Sequence, residues 1–348
     1  MKTTFYQRMT ALAVVMVTLA FTAYGQSAGG KGPDVLIVGM ASIGQEMGAP
    51  GYWLNDRQQA LPVTGALGGS ARAIAVSGSN VYIAGSTQYP NSPCYWLNGT
   101  RHDLPVSRAE VLGGAAAIAV SGSNVYIAGS ERSHTGNYQW KSTPGYWLNG
   151  VWHDLPVSGT YGSAAAIVIS GSDVYIAGQD GDGEKSTPGY WLNGVWQGLP
   201  VTGTSGSARG IAVSGSGVYI LGSDGDTFGY WLNGVWQALP LIGAQGSANG
   251  IAVSGSDVYI VGYDYDTSVE PEDFFGFPSA ACYWLNGTRH ALPVTGKYGN
   301  SARAIVVSGS NVYITGQNEY KACYWLNGTR HDLPHTGARG SADAIVLR

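Results

Sequence analysis

The chain is 348 residues long and carries 53 Gly, 22 Tyr and 11 Trp, against 18 basic and 22 acidic side chains. That composition excludes a disordered chain, which is charged and poor in aromatics, and a long-helix protein, which is rich in Ala, Glu, Lys and Leu. A formal net charge of −4 provides no basic field for nucleic acid, and three Cys are too few for a disulfide-stapled scaffold.

The first residues read as an address. Lys2 and Arg8 precede an apolar run from Ala11 to Ala23, and Ala23-Tyr24-Gly25 then supplies a small-x-small site before the polar Gln26. This is the pattern of a secretory signal peptide. The apolar run is short of the roughly 20 residues that span a bilayer, so cleavage after Gly25 is expected, giving a secreted or periplasmic protein that does not span the membrane. Residues 1–25 are thus predicted to be the signal peptide, 26–34 a short linker, and 35–348 one domain.

Tyr-Trp-Leu-Asn then occurs seven times, beginning at Tyr52, Tyr95, Tyr146, Tyr190, Tyr230, Tyr283 and Tyr324. The repeats are numbered one to seven after these copies. Their spacing of 40–53 residues fits a four-stranded propeller blade better than a helical repeat. In chain order, Val35–Gly39 matches the second strand of the later repeats, with no first strand ahead of it. Repeat three shows the full unit. Ala115–Val120 and Val125–Gly129 are predicted strands around a Ser-Gly-Ser-Asn turn. Tyr146–Leu148 and Val151–Trp152 flank Asn149-Gly150, the signal for a type I′ hairpin. Pro156 stops the fourth strand. The first two strands are apolar on both faces, as a sheet sandwiched between neighbours requires. At the far end, Ala342–Leu347 matches a first strand with nothing after it, and so supplies the strand missing from repeat one.

From about Val35 to Arg348 the chain resembles the seven-bladed β-propellers, in the manner of WD-repeat and kelch proteins. It lacks the Gly-His and Trp-Asp signatures of the former and the double-Gly pattern of the latter. The resemblance implies an all-β fold of seven four-stranded antiparallel blades, closed by the C-terminal strand, and it implies no activity.

In such a meander the Ser-Gly-Ser and Asn-Gly turns share one face, and the longer, variable connections share the other. Binding residues are expected on the variable face. Its longest loops are 130–145 and 263–282. They hold His134, Tyr138 and Trp140, then Tyr263, Tyr265, Phe274, Phe275 and Phe277 beside Glu270, Glu272 and Asp273. Aromatics next to carboxylates suit stacking on a sugar ring or anchoring a partner protein, and equally suit loops that pack on themselves. Asp180 and Asp182 (with Glu184), Asp224 and Asp226, and Asp264 and Asp266 offer oxygens at a spacing that Ca²⁺ can use, although Asp-Gly is also turn chemistry. In the pattern Ala-x-Ala-Ile the variable position reads Arg72, Ala116, Ala165, Arg209, Asn249, Arg303 and Asp343. Three Arg there can grip an anionic ligand, or Arg303 can pair with Asp343 while Arg72 and Arg209 answer the acidic loops.

Other repeated positions read as structural. Trp152, Trp196 and Trp236 occupy one outer position, where repeats two, six and seven have Arg101, Arg289 and Arg330. They form either a lateral contact stripe or a cover for neighbouring edges. Cys94, Cys282 and Cys323 precede the repeated Tyr and are expected to be free, buried thiols, because facing sheets stand about 10 Å apart. His102, His153, His290 and His331 share one outer position, and a residue set that recurs around a ring is not a catalytic constellation. Three Asn-Gly-Thr triplets, at Asn98, Asn286 and Asn327, match glycosylation acceptors and are also the turn itself. The expected function is an exported, monomeric module that binds one extracellular protein or polysaccharide. The alternatives are a metal-dependent hydrolase or lactonase-like enzyme, or a lectin.

Overall fold

The computed structural model describes residues 32–41, 49–63, 68–87, 92–107, 112–134, 140–182, 185–203, 205–243, 245–268, 270, 277–335, 337 and 339–348. The predicted signal peptide and most of the linker lie outside them. Among the described residues there are 28 strands and no helix.

Every repeat follows one local logic. First strands such as Gly69–Ser77 and Gly340–Leu347 are buried along most of their length, whereas fourth strands such as Val151–Asp154 are mostly exposed. Asn149 and Gly150 have φ of 52° and 84°, the pair of positive values that a type I′ turn requires. The Asn side chain does more than tolerate the turn. Asn149 Oδ1 accepts the Val125 N–H at 2.9 Å, and its Nδ2 donates to Asn124 Oδ1 at 2.9 Å. The same pair of bonds recurs at Asn98, Asn193, Asn286 and Asn327, which fixes the two turn types side by side at one end. Repeat one uses Asn55-Asp56, at 47° and 64°, for the same job.

The strands form six sheets, five of four strands and one of eight. The eight-stranded sheet departs from the expectation of separate four-stranded blades. In it, the meanders of repeats three and four are joined by one parallel pairing, Ser142 with Tyr161. The cause is the long hairpin of repeat three, whose third strand starts early enough to reach its neighbour. There Ser142 donates its N–H to Thr160 O at 3.0 Å and its hydroxyl to Gly162 O at 2.8 Å. Ser186 and Ser205 form a lesser bridge of the same kind between repeats four and five. Residues from both ends of the chain share one sheet. Gly340–Leu347 pairs antiparallel with Val35–Ala41, from Val35 opposite Leu347 to Ala41 opposite Gly340. The first strands pack side by side in repeat order, two against three through to six against seven, and Gly340–Leu347 packs on the first strands of both repeat seven and repeat two.

The repeated Trp joins consecutive repeats. Trp53, Trp96, Trp147, Trp191, Trp231, Trp284 and Trp325 are all fully buried. Each Nε1–H donates to the carbonyl of the Pro in the Leu-Pro that ends the preceding repeat. Trp96 meets Pro62 at 2.9 Å, Trp147 Pro105 at 2.7 Å, Trp191 Pro156 at 2.9 Å and Trp231 Pro200 at 3.0 Å. Trp284 meets Pro240 at 2.8 Å and Trp325 Pro293 at 3.0 Å. Trp53 reaches Pro334 at 2.7 Å, across 281 residues. Burying an indole removes about 150–250 Å² from water, about 4–6 kcal/mol by area before ordering costs. The N–H must then find a partner, and the Pro carbonyl is one. Trp191→Phe and Trp53→Phe should each lower stability by about 1–3 kcal/mol, read from the denaturant midpoint. A neutral Trp53→Phe beside a costly Trp191→Phe would show that the two chain ends are not latched.

Candidate ligand-binding site

In every first strand the ladder slips by one residue. The slip falls between Ala71 and Ala73, Ala115 and Ala117, Ala164 and Ala166, Ala208 and Gly210, Ala248 and Gly250, and Ala302 and Ala304. In the seventh case Ala344 and Ala342 pair and Asp343 is passed over. The bulged residues are therefore Arg72, Ala116, Ala165, Arg209, Asn249, Arg303 and Asp343, the variable positions singled out in the sequence. A bulge bends its strand and re-aims the extra side chain. The facing second strand admits it only with Gly. A Cβ on Gly39, Gly85, Gly129, Gly178, Gly222, Gly262 or Gly316 would lie 1.8–2.1 Å from a carbonyl oxygen of the bulged strand.

Arg303, Asp343 and Asn249 bridge neighbouring repeats. Arg303 pairs with Asp343, Nη1 to Oδ1 at 2.7 Å, as one of the two sequence readings expected, and its Nη2 donates to Gln317 Oε1 at 3.1 Å. Asp343 also accepts the Ser341 hydroxyl at 2.9 Å. Asn249 donates to Ala302 O at 2.8 Å. Arg72 Nε donates to Ser70 Oγ at 3.2 Å; burial pulls its pKa down, with Asp343 partly offsetting. Burial likewise lowers the pKa of Arg209, whose electrostatic neighbour is the Tyr263 phenol rather than a carboxylate.

Beside Arg303, repeats six and seven line an open pocket of about 190 Å³. Tyr263 and Tyr265 enter it from the second strand of repeat six, with rings edge-on at 5.3 Å. Burial raises the Tyr265 pKa, and Tyr263 adds to the shift. Phe277, Tyr298 and Tyr320 complete the aromatic lining. Tyr320 lies under the Arg339 guanidinium, 5.0 Å from the ring centroid. Gly299 (φ 70°) leaves the Tyr320 ring the space that a Cβ would take. Asn300 stiffens the wall, donating to Ser279 O and Gly296 O at 3.0 and 2.7 Å and accepting the Glu319 N–H at 3.0 Å. Among the described residues, the hydroxyl of Ser301, only 7% exposed, has no partner, and neither has Arg303 Nε.

The structure thus brings Tyr263, Tyr265, Phe277 and Arg303 together. Trp140 is elsewhere, and segment 130–145 is not the expected loop. Its strands run to His134 and resume at Trp140, with the two rings in contact at 3.8 Å and Trp140 half exposed. Tyr138, Phe274, Phe275, Glu184, Glu272 and Asp273 lie outside the described residues. Sequence reading missed Tyr298, Asn300, Ser301 and Tyr320, because it weighed loop length. The signal was present in Tyr298-Gly-Asn-Ser, which has an Asn between the Gly and the Ser and shares its leading Tyr only with Tyr161 of repeat four.

The acidic residues serve different partners. Asp180 accepts the Ser158 N–H at 2.9 and 3.0 Å, Asp224 the Thr202 N–H at 2.9 and 3.1 Å, and Asp264 the Ile242 N–H at 3.0 Å. Asp264 is also held bidentately by Arg289, at 2.7 Å in both bonds. Glu131 and Asn318 do the same for Ser107 and Thr295. Each is buried and pins the connection from the preceding repeat. Asp182 accepts the Lys185 N–H at 2.9 Å, Asp226 is exposed in a turn, and Asp266 is held below the usual carboxylate range by the Ser268 hydroxyl and N–H. Among the described residues, no three His, Cys, Asp or Glu side chains converge as a metal would need.

The outer positions are coupled. Trp152, Trp196 and Trp236 lie against Trp147, Trp191 and Trp231 of their own repeats at 4.3–4.4 Å. Their rings occupy the space over Gly145, Gly189 and Gly229. Where that Gly is Cys94, Cys282 or Cys323, the outer residue is Arg101, Arg289 or Arg330. His102, His153, His290 and His331 stack on the repeated Tyr at 4.8–5.0 Å.

The three thiols are free and buried. No protein-family model matches the chain, and no curated protein matches it. Among solved structures, a puromycin hydrolase is 10% identical with a TM-score of 0.58, over 90% of this chain and 53% of its own. A puromycin-hydrolyzing peptidase from Mycobacterium tuberculosis is 10% identical with a TM-score of 0.53, over 86% and 54%. A Trypanosoma rangeli sialidase in complex with sialic acid is 10% identical with a TM-score of 0.45, over 84% and 56%. The chain spans about half the length of each. At these identities the likeness to the first two shows the fold alone, and the fold is of the β-propeller type.

Two predictions follow from the outer positions. Gly189→Cys should destabilise the chain, since a Cβ there falls 2.6 Å from the Trp196 ring. Adding Trp196→Arg should recover part of the loss, with a coupling of about 0.5–3 kcal/mol in a double-mutant cycle. Burial pushes the Cys94 thiol up from 9.0 to about 11. The folded state thus holds that proton more tightly, so its contribution is complete below about pH 9 and is lost as pH rises toward 11. A thiol reagent at pH 8 should leave all three Cys unmodified until denaturant is added.

Proposed function

We propose that this protein is an exported, seven-bladed β-propeller that acts as a binding module and takes one sugar ring of an extracellular polysaccharide between repeats six and seven. Seven latched Trp, seven bulged first strands in cyclic contact, and a sheet built from both chain ends support the blade count and the closed ring. The charged, apolar, small-residue order of residues 1–25 supports export.

The observation that carries the binding reading is the aromatic wall of Tyr263, Tyr265, Phe277, Tyr298 and Tyr320 around a pocket that Arg303 and Gln317 also line. Tyr and Phe faces suit the C–H face of a sugar, and the phenol groups suit its hydroxyls. At about 190 Å³ the pocket is smaller than the ~300–1,000 Å³ of clefts for whole small molecules, so it fits a single ring of a longer chain.

A panel of extracellular polysaccharides and oligosaccharides should give at least one binder. Tyr265→Ala should weaken it about tenfold, while Trp140→Ala leaves it unchanged. Binding that survives Tyr265→Ala and Ser301→Ala, or that depends on Trp140, would move the site to the repeat-three hairpin. A panel without a binder, with capture of a protein that Tyr265→Ala abolishes, would replace the sugar by a partner's side chain.

A further inference from the structure

We propose that Asn233-Gly234, the hairpin turn of repeat five, is the site at which the folded protein deamidates first, passing through a succinimide to isoaspartate and aspartate, ahead of five turns of the same local sequence. The chain carries its own controls. Trp-Leu-Asn-Gly recurs around Asn98, Asn149, Asn193, Asn233, Asn286 and Asn327. In all six turns φ is 49–52° at the Asn and 80–84° at the Gly, and every one of these Asn is exposed. In all six, Oδ1 accepts the N–H of the second-strand Val at 2.9 Å.

The turns differ at the other end of the carboxamide. Nδ2 of Asn98, Asn149 and Asn327 donates to the side-chain oxygens of Asn80, Asn124 and Asn311, each at 2.9 Å. Nδ2 of Asn193 and Asn286 donates to the carboxylates of Asp173 and Asp257, at 2.8 and 2.9 Å. In repeat five the equivalent residue is Gly217, which has no side chain to offer, and among the described residues Asn233 Nδ2 has no partner. The space is taken by an aromatic ring: a Cβ on Gly217 would lie 2.7 Å from Tyr219 Cε2.

The reaction needs only base and water. The Gly234 backbone nitrogen loses its proton and attacks Cγ of Asn233. The N–Cγ bond forms, the Cγ–Nδ2 bond breaks, and Nδ2 takes up a proton and leaves as ammonia. Water then opens the succinimide at either carbonyl, to isoaspartate or to aspartate. Before this can start, the carboxamide must swing from the Val N–H toward the Gly nitrogen and so break each bond that holds it. Asn233 gives up one such bond and the other five give up two. A bond of this kind is worth a factor of about two to ten, and more where the acceptor is a carboxylate. The expected order is therefore Asn233 first, then Asn98, Asn149 and Asn327 together, with Asn193 and Asn286 last.

The test incubates the purified protein, folded and in denaturant, at mildly alkaline pH. Peptide mapping by mass spectrometry follows the exchange of amide for acid at each Asn, and electron-transfer fragmentation separates isoaspartate from aspartate. In the folded protein Asn233 should convert about two- to tenfold faster than Asn98, Asn149 and Asn327, whereas in denaturant the six rates should come together. Asn124→Ala should bring Asn149 up to the rate of Asn233. Gly217→Asn should slow Asn233 to the rate of Asn98, provided that the Tyr219 ring moves aside. If that variant does not fold, Asn124→Ala decides alone. Equal rates in the folded protein, an order led by any other Asn, or a folded protein in which Asn233 stays intact while the denatured chain converts overturns the proposal. So does an Asn124→Ala variant that folds by circular dichroism and leaves Asn149 as slow as before.

Discussion

The hydrogen bond from a buried indole to a proline carbonyl is the constraint on which the molecule depends. A sheet of four strands cannot bury both faces alone, so each repeat must lie against another. The Trp of Tyr-Trp-Leu-Asn supplies the apolar bulk for that contact, and its N–H makes the contact directional. Proline is suited to receive it, having no N–H of its own to satisfy and a fixed φ that holds its carbonyl in place. The neighbouring Leu turns inward and donates to the third strand, as Leu155 does to Pro144 at 2.9 Å. One dipeptide thus ends a strand, fills the core and accepts the next repeat.

The second constraint is the slip in each first strand. A regular strand would alternate its side chains between the two faces of the sheet and leave nothing for the middle of the assembly. The extra residue changes that, and the repeated Gly of the second strand makes the close approach possible. Because the bulge is a backbone feature, its side chain is free to vary, and it does vary: Ala, Arg, Asn and Asp all occur. The scaffold is uniform where it must pack and diverse at the bulge, which is why the guanidiniums of Arg72, Arg209 and Arg303 sit at equivalent backbone positions in different surroundings.

Much of this was legible in the residues. The Asn-Gly hairpins, the Ser-Gly-Ser turns and the pairing of Ala342–Leu347 with Val35–Gly39 follow from strand patterns that repeat. The Arg303–Asp343 pair was foreseen as one of two possibilities, because a partly buried guanidinium seeks a carboxylate. The destination of the indole N–H was not seen, since Trp and Pro stand 31–44 residues apart in six of the repeats and only three dimensions bring them together. The exchange of Gly-with-Trp for Cys-with-Arg was present as two separate columns, and their contact is what couples them. The roles of Asp180, Asp224 and Asp264 were hidden for the same reason. Each answers an amide in the preceding connection, whereas the sequence shows only its nearness to a second Asp.

Trp53 and Pro334 draw together ends that are 281 residues apart, whereas Trp96 and Pro62 span 34. Closing the longer loop costs about 2 kcal/mol more in chain entropy by the logarithmic rule, for a bond of the same chemistry. The seam beside repeat one is therefore the last to gain from being made and the first to gain from being undone. The difference lies in chain entropy rather than in any weakness of the contact, so a covalent link between the paired strands Val35–Ala41 and Gly340–Leu347 would close the loop beforehand and bring this junction level with the others.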